Sequence, residues 1–267
     1  MDIKLKQRIF KQYGPWAVVT GASSGIGRAL CGHLAESGTN LIINARRERR
    51  LWALAEELEH RYNIKVEVIA ADMGRQEHRE KLLDMTTPYD VGLLVNAAGF
   101  GSSGKFKDSD LSNEVDMLEV NCKAPLILSK EFGARFTKRA SGGIIMISSI
   151  VAFQGVPWAA HYAATKAYIQ SLAESLHIEY YPFGVDVLAV APGPVHTGFA
   201  DRADMQMGAA LNPEEIAMPI LKALGRKSTV YPGVLTKLLT GSLRLLPRWG
   251  KVKVMQQVMK GMSLHAE

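Results

Sequence analysis

Short apolar runs and amphipathic stretches alternate along this chain. Trp16-Ala-Val-Val-Thr20 carries no charge, which is the pattern of a strand covered on both faces. Residues 26–37 have helical periodicity and stop at Gly38, a residue that readily ends a helix. The same alternation predicts strands at 40–44, 65–70, 91–96, 143–148 and 185–191. It predicts helices at 48–62, 75–84, about 113–139 and about 161–181, the last stopped by Pro182 and Gly184. Strands and helices taking turns in this way argue for a parallel sheet with helices on both faces. Ahead of it, residues 1–14 form an amphipathic lead-in with Ile3, Leu5, Ile9 and Phe10 among lysines. Behind it come a helix at 213–224, an edge strand at 229–232, and two amphipathic helices on either side of Pro247. In the first of these, Leu235, Leu238, Leu239 and Leu246 share a side, with Lys237 and Arg244 elsewhere. Met255, Val258, Met259 and Met262 form the apolar stripe of the second. Neither a repeat nor a low-complexity linker interrupts the chain, so one domain is expected. Its body is 1–233, with a lid near 197–212, and 234–267 is a basic helical extension of the same domain.

Two motifs sit at the ends of these elements. Tyr162 and Lys166 are four residues apart on a predicted helix and so share one face. A free phenol ionises near pH 10, and a neighbouring cation lowers that value, so the spacing predicts a proton donor tuned by Lys166. Upstream, Thr20-Gly21-Ala22-Ser23-Ser24-Gly25-Ile26-Gly27 joins the first strand to the first helix. Glycines let a pyrophosphate approach the backbone, and the helix N-terminus offers free N–H groups and a positive dipole end. After the second strand, an acid would hydrogen-bond the ribose of NAD. This chain has Ala45 there, followed by Arg46 and Arg47, so the 2′-phosphate of NADP is the expected guest. Arg46 follows the strand directly and is the preferred partner, with Ser24 and Asn44 assisting.

Composition narrows the setting. The chain has 267 residues, 47% of them hydrophobic and 22% charged, as expected of a globular α/β domain. Two cysteines, Cys31 and Cys122, give no disulfide framework, and no ligand spacing suggests a metal. The start lacks a continuous apolar run, so a cytoplasmic protein is expected. The net charge of +6 is concentrated late: nine Lys and Arg, and no Asp or Glu, lie between Ile216 and Ala266. The basic extension either packs on the body or a second subunit, or meets anionic lipid or an acyl chain, making a peripheral membrane protein. Nucleic acid is disfavoured, since no binding module accompanies the basic residues.

Taken in order, the motifs resemble the short-chain dehydrogenases/reductases in their single-domain form. The likeness covers roughly residues 14–200 and includes Thr20-Gly-x-x-x-Gly-x-Gly27, Asp72, Asn96-Ala-Ala-Gly99 and Asn121. It continues through Ser149, Tyr162-x-x-x-Lys166 and Pro192-Gly193-Pro194-Val195-His196-Thr197. The resemblance implies a doubly wound Rossmann fold and a set of roles. Gly21, Ser23, Ile26 and their turn, with Gly25 and Gly27, would bind the pyrophosphate. Asp72 and Met73 would flank the adenine, while Asn96, Ala97 and Gly99 line a ribose. Lys166 would also hold the nicotinamide ribose, and Val195 and Thr197, in the Pro192-Gly193 segment, the carboxamide. Asn121 would anchor a water leading to Lys166, the hydride would leave the pro-S side, and subunits would pair through the helices holding Asn121 and Tyr162.

The expected activity is NADPH-dependent reduction of a ketone to a secondary alcohol. Ser149 would donate to the carbonyl oxygen and Tyr162 would protonate it. Phe199, Met205 and Met207 in the stretch 198–208 suggest a lid over an apolar or 3-oxoacyl substrate, because methionines adapt to irregular shapes. The alternatives are an oxidative alcohol or hydroxysteroid dehydrogenase, and a dinucleotide-sensing interaction protein without turnover. The complete Ser149/Tyr162/Lys166/Asn121 set argues against the latter, and a homodimer or homotetramer is expected.

Overall fold

The computed structural model describes residues 1–203, 205 and 210–262. Met207 and Gly208 of the expected lid lie outside the described residues, as do the side chains of Leu235 and Arg244.

Seven parallel strands make one sheet: β1 (Trp16–Thr20), β2 (Asn40–Ala45), β3 (Val66–Ala70), β4 (Val91–Asn96), β5 (Gly142–Ile147), β6 (Val185–Val190) and β7 (Thr229–Val230). Their order is β3-β2-β1-β4-β5-β6-β7, so the winding reverses between β1 and β4. Ligands of such sheets bind at the carboxyl ends of the strands where the order reverses. The helices are α1 (Ile3–Tyr13), α2 (Gly25–Glu36), α3 (Glu48–Tyr62), α4 (Gln76–Met85), α5 (Leu111–Leu118) and α6 (Ala124–Arg139). They continue with α7 (Ala160–Tyr180), α8 (Phe199–Arg202), α9 (Pro213–Ala223), α10 (Val234–Arg244) and α11 (Arg248–Lys260).

Strand residues alternate between two cores, as the pleat requires. Val19, Ile43 and Val95 pack with Leu30 of α2, Leu51 of α3 and Ile220 of α9. Val18, Ile42 and Leu94 pack on the other face with Leu82 of α4, Phe132 of α6 and Ile169 of α7. Both faces are apolar because both are covered.

Helix α1 differs in detail from the expected stripe. Leu5, Ile9 and Tyr13, each four residues on from the last, face the core, while Ile3 and Phe10 are exposed. The ring of Tyr13 lies over β5, where a Cβ on Gly143 would come within 2.9 Å of Tyr13 Cδ1. A side chain at Gly143 would push the helix off the sheet. The Tyr13 hydroxyl and Gln12 Nε2 both donate to one carboxylate oxygen of Asp186, at 2.8 and 2.7 Å. Burial, reinforced by that carboxylate, pushes the Tyr13 phenol well up. Arg8 donates to the carbonyls of Leu221 at 2.6 Å and Leu224 at 2.7 Å, groups left over at the end of α9.

The long helix expected over 113–139 is two helices joined through a π-helical turn, Glu119–Lys123. An inserted residue of this kind turns a side chain out of the regular register, and the turn carries Asn121.

Replacing Arg8 with alanine uncaps α9 and frees α1. We expect a loss of about 2 kcal/mol, read as a lower urea midpoint with an unchanged slope.

Candidate active site

The site lies where β1 and β4 part. Gly21, just after β1, adopts φ +68°, and a Cβ there would stand 2.7 Å from the Ala97 carbonyl oxygen. The turns after β1 and β4 therefore touch. Thr20 binds them together, its hydroxyl accepting from the amides of Ala97 at 3.1 Å and Ala98 at 3.2 Å. Gly25 opens α2 at φ +57°, where a Cβ would meet Thr197 Cγ2 at 2.8 Å. The segment after β6 thus closes down on the glycine turn. The Ser24 side chain does not cap α2. It accepts instead from Arg47 Nη2 at 2.9 Å, as Ser23 Oγ does at 3.1 Å.

That contact redistributes the expected arginine roles. Arg46 was the preferred phosphate partner, but it turns toward β3 and lies 3.8 Å from Asp72. Arg47, at the N-terminus of α3, turns toward β1 and lies on the glycine turn. Partial burial and the neighbouring Arg50 and Arg46 hold its guanidinium below the ordinary arginine range. Asn44 does not assist there. It is fully buried, and its amide donates to the carbonyls of Ile69 and Ala71, tying β2 to β3. Asn96 also points inward, donating to Ser129 Oγ of α6 at 3.1 Å. Met73 is buried in the core. Asp72 accepts from Gly74 N at 2.9 Å, fixing the turn after β3.

The second half of the site gathers on α7. Lys166 is buried, and its ammonium donates to the Ile147 carbonyl at 2.9 Å. The same nitrogen lies over the Tyr162 ring, 5.7 Å from its centroid. Burial lowers the Lys166 pKa to about 8. The depression of Tyr162 by Lys166 expected from their spacing is not what this geometry produces. Burial pushes the phenol well above its usual range, and only the Ser149 side chain opposes this. With its ammonium bonded to Ile147 rather than to the phenol, Lys166 does not offset the desolvation.

Ser148 and Ser149 divide as strand alternation predicts. Ser148 Oγ donates to the Lys166 carbonyl at 3.1 Å, against α7. Ser149 starts a short 3-10 turn, its hydroxyl accepting from Val151 N at 3.3 Å and lying near Tyr162. Asn121 reaches across from the π turn. Its Oδ1 accepts from Phe100 N at 3.0 Å, and its Nδ2 donates to Phe100 O at 2.8 Å and Thr165 Oγ1 at 3.0 Å. Between Asn121 and Lys166 stands the bare Cα of Gly99, where a Cβ would sit 3.0 Å from Asn121 Oδ1 and 3.5 Å from Lys166 Nζ.

Helix α8 covers this centre. Phe199 packs on Tyr162 with ring centroids 5.1 Å apart, and the Arg202 guanidinium lies 3.4 Å over the Phe100 ring. The neck of the segment is closed by His196 N donating to Leu211 O at 2.9 Å and Leu211 N donating to Pro194 O at 3.1 Å. Val195 pairs with Leu211 in the same neck, and Pro192 O accepts from Ile150 N at 3.0 Å. Below Tyr162, Val156, Ala159 and Ala163 form a small apolar cluster with Met255 and Met259 of α11, and Met205 packs against it.

Two residues near the centre were not singled out from the sequence. Glu114 is buried, accepts from Ser102 Oγ at 2.8 Å, and its carbonyl is 3.0 Å from His161 Nε2. Its helical spacing with Met117 and Asn121 marked it as inward-facing. Trp158 holds φ 62°, with Gly104 N donating to its carbonyl at 2.8 Å, and nothing in its side chain signals that strain.

The residues fit a dinucleotide. The N-terminus of α2, which Ser24 does not cap, the bare Cα of Gly99 and the guanidinium on Ser23 and Ser24 provide backbone donors, room and a cation.

The chain is similar to known proteins over most of its length. The family profile described as short chain dehydrogenase matches residues 15–208. A 7beta-hydroxysteroid dehydrogenase of Mediterraneibacter gnavus is 29% identical over 230 residues, spanning 84% of this chain and 88% of that protein. A structure of a 7beta-hydroxysteroid dehydrogenase superposes with TM-score 0.86 at 26% identity, over 92% of this chain and 98% of that one. A short-chain dehydrogenase from Sphingobium yanoikuyae in complex with NADPH gives TM-score 0.78 at 28% identity, over 86% of this chain and 94% of that one.

Asn121→Ala leaves the buried amide and carbonyl of Phe100 and the Thr165 hydroxyl without their partner. We expect destabilisation of about 2–4 kcal/mol in urea unfolding, more than a surface Asn→Ala change gives.

Proposed function

The chain belongs to the short chain dehydrogenase family, and we propose that it reduces an apolar ketone with NADPH. The observation that carries this reading is Tyr162, whose buried phenol stays protonated at neutral pH beside Ser149 and above an apolar cluster. NADPH, when bound, supplies the hydride. Arg47, on Ser23 and Ser24, would meet the 2′-phosphate, with Arg46 assisting, and Gly21, Gly25, Ile26 and Gly27 would present the backbone to the pyrophosphate. Asp72 and Met73 would frame the adenine, and Asn96, Ala97 and Gly99 one ribose. Val195 and Thr197, in the Pro192-Gly193 segment, would hold the nicotinamide carboxamide.

The chain's own residues handle the oxygen. Ser149 Oγ donates to the carbonyl as charge develops there, a contact worth roughly 3 kcal/mol in comparable oxyanion sites. Tyr162 gives its proton to the same oxygen. Lys166, cationic below about pH 8 and held by the Ile147 carbonyl beside the Tyr162 ring, is the source from which the phenolate regains its proton. Asn121 holds the loop of Phe100 and keeps a lone pair for a water leading to Lys166. The apolar cluster under Tyr162 and the Phe199 cover suit a bulky hydrophobic ketone, a ketosteroid-like or 3-oxoacyl molecule. The similarity to hydroxysteroid dehydrogenases also supports the reverse reaction, oxidation of a secondary alcohol. At neutral pH the phenol is in the protonated form that reduction uses, whereas oxidation needs the phenolate, which burial makes scarce.

Subunits pair through α5, the π turn, the start of α6 and α7, where Leu111, Val115, Leu118, Leu126 and Tyr168 are exposed.

Tyr162→Phe is expected to abolish NADPH-dependent ketone reduction, to below a few per cent of wild type, while NADPH binding measured by fluorescence persists. In wild type, kcat/KM is expected to fall as pH rises through about 8, where Lys166 loses its proton, and this limb should vanish in Lys166→Met. Arg47→Ala is expected to raise the KM for NADPH about tenfold or more without changing that for NADH, and Arg46→Ala to do so less. Equal KM values for both cofactors in wild type would contradict the phosphate reading.

A further inference from the structure

We propose that the outward face of α10 and α11 is a docking surface for a bilayer rich in anionic phospholipid. Among its described side chains, helix α10 exposes more large apolar groups than it buries. Its inward side carries Thr236, 2% exposed, whose hydroxyl accepts from Gly193 N at 3.3 Å, and the half-buried Leu243, packed on the cluster under Tyr162. At 100° per residue, Val234, Leu238 and Leu245 fall within about 40° of one another on the opposite side. They are 73%, 65% and 88% exposed. An ordinary surface helix shows the opposite polarity, apolar inward and polar outward.

Helix α11 continues the surface. Met255 and Met259 face the body, while Trp249 faces out, 66% exposed, with the Lys253 ammonium 5.4 Å from its ring centroid. Tryptophan and long basic side chains settle at the boundary between hydrocarbon and headgroup, ring or stem inside and polar end in water. Charge selects the occupant. Lys237, Arg248, Lys253 and Lys260 are exposed on these helices, and no Asp or Glu occurs between Ile216 and Ala266. A second copy meeting this face by two-fold symmetry would bring cation against cation. Anionic headgroups are complementary to it, each neighbouring Lys or Arg adding to the attraction. No helix among the described residues is long and apolar enough to cross a membrane, so these helices lie in the interface.

The position has a use. The inner face of α11 packs against Ala163, next to Tyr162 in sequence. The same helix thus has lipid on one side and the wall beneath Tyr162 on the other, and an apolar molecule dissolved in the bilayer reaches the site with little passage through water.

The test is co-sedimentation of the full chain with vesicles of phosphatidylcholine alone and with about one-third phosphatidylglycerol. Wild type is expected to pellet with the anionic vesicles, weakly with the neutral ones, and less as salt rises. The double variant Leu238→Asp/Leu245→Asp is expected to bind about tenfold or more weakly. It should still reduce a small water-soluble ketone at the wild-type rate, which separates failure of docking from failure of the reductase reading. Should that variant misfold by circular dichroism, Lys237→Gln/Lys253→Gln carries the same expectation. Wild type that stays in the supernatant, binding indifferent to lipid charge, or variants that bind as wild type would overturn the proposal. So would wild-type self-association, seen by sedimentation velocity, that the double variant abolishes, since the face would then belong to a second copy.

Discussion

Phe100 is buried at the mouth of the sheet, and its amide and carbonyl have to be paired there. One carboxamide does both. Asn121 accepts from the amide and donates to the carbonyl, and its second N–H reaches Thr165 on α7. Three separate parts of the chain are thereby set at one spacing: the loop after β4, the π turn, and the helix that carries Tyr162 and Lys166. The gap this spacing leaves is the one at Gly99, between Asn121 and Lys166. Were α5 and α6 one regular helix, the register of Asn121 would shift and the gap would lose a wall. The π turn is a local departure from the commonest helix geometry that the site depends on.

Electrostatics at the centre follow from desolvation before they follow from charge pairing. Burial raises Tyr162 and lowers Lys166, each toward its neutral form. A neutral phenol is a loaded acid. An ammonium close to its own ionisation is a cation available at neutral pH and lost in mild alkali. The Ile147 carbonyl holds that ammonium in place beside the ring. The division of labour between Arg46 and Arg47 has a similar origin. Adjacent residues at the end of a strand diverge, one toward Asp72 after β3 and the other toward Ser23 and Ser24 after β1.

Much of this was legible in the residues. The limits of β1, β4 and α3 coincide with those expected from apolar runs and amphipathic periodicity, because both faces of the sheet are covered and the signal is strong. The family and the α/β fold followed from ordered motifs. The misses share a cause: they depend on side-chain direction, which spacing does not encode. Asn44 and Asn96 end β2 and β4, each paired with Thr20 across the sheet, yet the side chains of both turn inward. Helix α1 used Tyr13 and not Phe10, because Gly143 leaves space beneath that ring. Lys166 was placed correctly on the face of Tyr162, but its sequence position gave no sign of the Ile147 carbonyl that binds it.

The central claim is that a nicotinamide lies in this cleft with one face toward Tyr162 and hands its hydride to a ketone. Transfer from stereospecifically deuterated NADPH tests it most directly, with the alcohol product analysed by mass spectrometry. The account predicts deuterium at the carbinol carbon when the label is on the pro-S position, and none when it is on the pro-R position. Deuterium arriving from the pro-R position, or alcohol formed without label from either, would contradict it.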